Sequence, residues 1–136
     1  MVQLSALFED LEKMNVNVFL DNYYFDAVVI EESSFYSLCA NPFAFKDVAE
    51  FKFMLAHECG HTATNTTHKV YSPFQLVRKN EYRANKYAFF RYMPPEEFEK
   101  AIAGGCRERW EFAEWFGLPE DKVMKAHTYY KANGLL

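Results

Sequence analysis

Five consecutive residues, His57-Glu58-Cys59-Gly60-His61, constrain this chain more than anything else in it. They spell H-E-x-x-H, the two-histidine zinc pattern of metallopeptidases. On an α-helix, residues four apart stand on one face, one turn apart along the axis. The imidazoles of His57 and His61 therefore reach one ion at bond lengths of roughly 2.0–2.1 Å. Glu58 falls on the neighbouring flank, where its carboxylate reaches a bound water without ligating the metal. Cys59 points to the opposite side of the same helix, so it reads as a buried core residue. The pattern arises by chance in roughly one in a few hundred chains of this length, so its context decides. The motif has to lie on a helix, and a third ligand has to follow. The competing reading is a helix with two partly exposed histidines.

Both conditions are met on paper. Lys46-Asp47 precede a helical stretch that runs through His61, with Val48, Phe51, Leu55 and Cys59 as its apolar stripe. Ala56 and Gly60 are small and allow a second element to approach this helix closely. Thr62 to Lys69 is rich in Thr and Asn and reads as a loop. Ser72-Pro73 then starts another helix, over about Phe74 to Tyr92. Val77, Glu81, Ala84, Asn85 and Ala88 share one of its faces. A carboxylate on a packed face is costly unless it is paired or bound to a cation. Glu81 is thus the predicted third ligand of a His₂Glu site with an open fourth position. Its alternative partners are Arg78, Arg83 and Lys86. The zinc-site helices are placed at about 47–64 and 74–92.

The flanking segments read as scaffold. Leu4, Leu7, Phe8, Leu11 and Met14 recur at helical spacing and predict an amphipathic first helix. Val16 to Leu20, Tyr23 to Ile30 and Phe35 to Ala40 are β-prone runs, enough for a small three-stranded sheet. After Met93-Pro94-Pro95 a helix runs to Ala103 and stops at Gly104-Gly105. A helix from Arg107 to Phe116 is expected to face Trp110, Ala113 and Phe116 or Trp115 inward. A last one spans about Glu120 to Lys131. Trp110, Trp115 and Tyr129 are the predicted anchors of this C-terminal scaffold, 95–131, and His127 is assigned to it rather than to the site.

Length and composition bound the rest. One domain over 1–136 fits the chain, and two do not. Half of the residues are hydrophobic, so a packed core is available. The formal net charge of -4 argues against a nucleic-acid-binding surface. No run is long and apolar enough for a membrane span, and Met1 to Glu9 lacks the basic start of a secretory signal. Three cysteines without C-x-x-C spacing suit reduced thiols, and a cytoplasmic location is expected.

Beyond the zinc motif, Glu81-Tyr82-Arg83-Ala84-Asn85-Lys86-Tyr87-Ala88 and then Met93-Pro94 before a Glu-rich helix follow in order. With the stretch Phe112-Ala113-Glu114-Trp115-Phe116-Gly117-Leu118-Pro119-Glu120, this resembles the ImmA/IrrE family of zinc metallopeptidases. The resemblance runs from about Phe35 to Tyr130. It implies an α+β, minimal gluzincin-like fold, with the small sheet packed on about five to six helices. It also implies His57, His61 and Glu81 as ligands of Zn2+ and Glu58 as the catalytic glutamate. Members of that family are typically encoded by phages and mobile elements and act as anti-repressors that cleave a helix-turn-helix repressor. Cys59 departs from the apolar Leu more usual at that place. With no appended sensor or DNA-binding domain, a regulatory partner has to be a separate protein.

Asn85, one turn after Glu81, is placed to accept a hydrogen bond from the non-ligating nitrogen of a zinc histidine. Gluzincins often use an Asp in a comparable place. Tyr82, Tyr71 and His68 are the candidates for a donor to transition-state charge. The leading expectation is a zinc-dependent endopeptidase whose partner is a protein substrate, such as a transcriptional repressor. The alternatives are a non-cleaving binding module that keeps the fold, and a metal-dependent hydrolase of a non-peptide substrate.

Overall fold

A computed structural model describes residues 1–66 and 74–136, with the backbone alone over 74–77. Among the described residues there are six α-helices and one three-stranded sheet, a small α+β fold. The order is α1 (Leu4–Lys13), β1 (Val16–Leu20), β2 (Ala27–Glu31), β3 (Tyr36–Ala40), α2 (Val48–Ala63), α3 (Phe74–Tyr92), α4 (Pro95–Ala103), α5 (Arg109–Phe116) and α6 (Glu120–Ala132). None of the described helices is long and apolar enough to cross a membrane.

The sheet order is β1-β3-β2, with β3 parallel to β1 and antiparallel to β2. Strand alternation sorts its two faces. Val16, Leu38 and Ala40 turn to the core, whereas Phe19 and Val28, which flank Cys39 in one row, lie on the exposed face. Asn41 holds the exit from β3: its amide donates to the Tyr23 carbonyl at 2.8 Å, and its oxygen accepts from the Phe43 N–H at 3.0 Å. The second strand is shorter than its β-prone run. Tyr23 and Phe25 stack on each other in the preceding turn, with centroids 4.9 Å apart, so pairing starts only at Ala27.

Leu7 and Leu11 of α1, Leu38 of β3, Leu55 of α2, Met93 after α3, and Phe98, Val123 and Tyr130 of the C-terminal helices are all fully buried. A half-buried ion pair ties the first helix to α3. Asp10 accepts from Arg91 Nη2 at 3.0 Å and from the Tyr92 hydroxyl at 2.7 Å.

The C-terminal scaffold corrects the expected start of α5 and the inward role of Trp110, and keeps Phe116 inward. Helix α5 begins at Arg109, not Arg107, because Glu108 and Glu111 form a reciprocal capping box at its start. From that start the inward pair is Phe112 and Phe116, one turn apart, and Trp110 is 56% exposed. The anchor of α6 is Tyr130, whose hydroxyl donates to the Met93 carbonyl at 2.8 Å. Tyr129, partly buried like Trp115, also packs against the core, with its ring edge-on to Phe90 at 6.0 Å. Trp115 does anchor: its indole N–H donates to Glu97 at 3.3 Å. His127 is half-buried against Phe98 and Phe112 in the scaffold.

Candidate metal centre

The centre is assembled where α2 packs on α3. Helix α2 begins at Asp47, whose carboxylate accepts from the Glu50 N–H at 2.9 Å, a side-chain cap of the kind that starts helices. Its buried face includes Phe51, Leu55, Ala56, Cys59 and Gly60; Val48, placed on the stripe by its spacing, is 59% exposed. Gly60 lies against the backbone of Ala84 on α3. A Cβ there would overlap the Ala84 carbonyl oxygen and stand 2.8 Å from its carbonyl carbon. The absence of a side chain at position 60 is what lets the two backbones touch.

That contact brings His61 beside Glu81. His57 and His61, one turn apart, turn their Nε2 atoms to the same point, 2.9 Å from each other. Glu81 faces both, with Oε2 at 2.7 Å from His57 Nε2 and Oε1 at 3.0 Å from His61 Nε2. The His61 side chain is 6% exposed, that of His57 19% and that of Glu81 40%, so the cluster is open to solvent on the Glu81 side.

The outer nitrogens fix what the inner ones carry. His61 Nδ1 lies 2.9 Å from the Thr66 carbonyl. A carbonyl only accepts, so Nδ1 holds a proton, and with a cation in front of Nε2 that nitrogen keeps its lone pair. His57 Nδ1 lies 2.8 Å from Asn85 Oδ1, an amide oxygen that also only accepts. The two Nε2 atoms and a carboxylate converge on one point. A cation satisfies all three at once, and the group His57, His61 and Glu81 can hold a metal ion. The outer hydrogen bonds are those that orient metal-bound histidines.

Asn85 thus stands where its spacing from Glu81 puts it. Thr66 is the contributor that sequence reasoning missed. Helix α2 ends at Ala63, and Asn65 turns into the left-handed region at φ 54°. This folds the chain back so that the Thr66 N–H donates to the His61 carbonyl at 2.8 Å while its own carbonyl meets the His61 ring. The hydroxyls add a relay: Thr66 Oγ1 donates to Thr64 Oγ1 at 2.7 Å, which donates to the Gly60 carbonyl at 2.7 Å. An Asn placed just after a helix was the available signal, because Asn tolerates that conformation best after Gly.

Glu58 is half-buried on α2, next in the chain to His57. Cys59 is fully buried, and burial pushes its thiol pKa up to about 11, so it stays protonated and apart from the ligand set. Tyr82 follows Glu81 and is 57% exposed. Tyr71 and His68, the other two donor candidates, lie outside the described residues. No family model matches the chain, and no curated protein or solved structure matches it either.

Proposed function

We propose that the protein is a zinc-dependent endopeptidase that cleaves a small regulatory protein, with a helix-turn-helix repressor of a phage or mobile element as the substrate type. The observation that carries this reading is the convergence of three electron-pair donors, two imidazole nitrogens and a carboxylate, on one solvent-open point. The donor set is that of catalytic zinc sites with three protein ligands. The flanking residues support it further, because His57-Glu58-Cys59-Gly60-His61 and Glu81 through Ala88 follow the ImmA/IrrE pattern.

His57, His61 and Glu81 would hold the zinc, which would supply Lewis acidity at a water and at the scissile carbonyl. Glu58 accepts the proton of the attacking water and passes it to the leaving amine. Asn85 and the Thr66 carbonyl hold the two imidazoles in the tautomer that leaves Nε2 free. Cys59 takes no part.

The test is cleavage of a purified helix-turn-helix repressor encoded beside this gene, and of a mixed peptide library, by zinc-loaded protein. Glu58→Gln should keep zinc and lose cleavage, and a chelator should stop the wild type. A wild type that holds zinc yet cuts neither substrate contradicts the peptidase reading and leaves a binding module.

A further inference from the structure

Asn85, the partner of His57, also lines a pocket of about 320 Å³ between α3 and α6. Tyr82, Asn85, Lys86, Phe89, Lys125 and Tyr129 line it. Its volume suits one side chain and not a folded partner. Its floor is apolar, with Phe89 only 8% exposed, and none of its lining residues is a carboxylate. Lys86 and Lys125 both border it, and neither makes an ion pair among the described residues. Lys86 is held over the Tyr129 ring, with Nζ 5.9 Å from the centroid, a placement that aromatic rings favour for cations.

This is a local exception to the charge of the chain, in which 19 acidic residues face 15 basic ones. One turn before Lys125, Lys122 carries the basic edge towards the centre. Its Nζ lies 5.3 Å from the centroid of Phe53, whose ring is 6.4 Å from that of His57. Lys122 also has Asp121 at 3.9 Å, so the unneutralised pair is Lys86 with Lys125. The pocket joins the metal centre through a single wall, since Asn85 both lines it and bonds His57 Nδ1 at 2.8 Å.

We infer that this pocket is a specificity subsite, and that it receives an acidic side chain, Asp or Glu, of the polypeptide bound at the metal centre. The inference rests on the proposed peptidase reading and names its substrate preference. The apolar floor takes the methylene stem, and the two ammonium groups take the carboxylate. A polypeptide stretched over His57, His61 and Glu81 has only one imidazole between it and Asn85. The inferred position is a residue next to or one beyond the metal-facing group, because the pocket and the centre share Asn85.

The test uses zinc-loaded protein and short peptide hydroxamates, which bind through the metal and need no turnover. Glu, Gln, Lys or Leu is placed at the first or second residue, and affinity is read by calorimetry at low salt. Glu should bind about fivefold tighter than Gln at one of the two positions, the ratio expected of a partly exposed charge pair, with Lys weakest. In Lys86→Met/Lys125→Met, a change at two exposed side chains, this preference should vanish while the Leu hydroxamate binds as before. Equal affinities for Glu, Gln and Lys at both positions, or a Glu preference that survives the double variant, overturn the subsite and leave the metal centre standing. Failure of every hydroxamate to bind overturns the peptidase reading and the subsite together.

Discussion

Gly60 on α2 touches the backbone of Ala84 on α3 so closely that no side chain fits between them. The atoms that a Cβ would meet are the carbonyl oxygen, carbonyl carbon and Cα of Ala84, none of which can swing aside as a side-chain tip does. His61 follows Gly60 and Glu81 lies one turn before Ala84, so the same contact sets the spacing of the ligand set. Gly60→Ala is expected to cost stability by about 1–3 kcal/mol, the usual range for overpacking. It should also weaken metal binding, because α3 carries Glu81 away with it. Denaturant unfolding and a metal titration on the same preparation check this; a variant of unchanged stability would show that the helices separate freely.

Among the described residues, Asn85 meets the ligand set at His57. Asn85→Ala removes the acceptor that fixes the His57 ring, and loss of such a partner typically lowers metal affinity by roughly 10- to 100-fold. Asn85→Asp restores an acceptor and should recover most of that loss. Competition with a chromophoric chelator measures the three proteins. Equal affinity in wild type and Asn85→Ala would remove the orienting role.

The turn at Asn65 supports His61 from the other side. Asn65→Gly should be tolerated, because φ 54° suits glycine. Asn65→Val should lower both stability and metal affinity, since a β-branched residue is strained there and the Thr66 carbonyl is drawn off the ring. Identical behaviour of the two variants would contradict the coupling of this turn to the centre.

Asp10 gives the fold an acid-sensitive tie. Burial by itself raises its pKa, but hydrogen bonds from Arg91 and Tyr92 and the Arg91 charge outweigh it, and the net shift is downward. A carboxyl whose folded value is depressed contributes stability that is full above its unfolded value, about 3.9. The contribution is lost as pH falls through the lower folded value. Asp10→Asn should therefore destabilise at pH 7 by about 1–3 kcal/mol, and the gap to wild type should narrow below pH 4. Denaturation at pH 7, 4 and 3 reads it, and a gap independent of pH would refute the assignment.

The metal-site helices were legible because their signals are local. Asp47 caps α2 as a helix-start residue should, and a glutamate amid Ala84 and Ala88 marks a face that needs a cation. Small residues at 56 and 60 foretell a close approach, and Gly60 makes it. What escaped the sequence depends on geometry between segments. Thr66 reaches His61 only through the left-handed turn at Asn65, and a backbone carbonyl leaves no mark on residue type. On α5 Phe116 is inward as its spacing says, but Trp110 is exposed and Phe112 takes the inward place one turn before Phe116. Spacing alone does not say where the helix starts, and the Glu108–Glu111 box sets that start. The second strand was overextended because aromatic residues that favour strands also stack on each other in turns, as Tyr23 and Phe25 do.

The most direct measurement is metal content by mass spectrometry under native conditions after zinc loading and desalting, with wild type, Glu58→Gln, His61→Ala and Glu81→Ala compared. One zinc per chain in the first two, and none in the last two while they remain folded, is the predicted result. A folded wild type that retains no zinc, or a Glu81→Ala that retains it as well as the wild type, would contradict a site built from His57, His61 and Glu81.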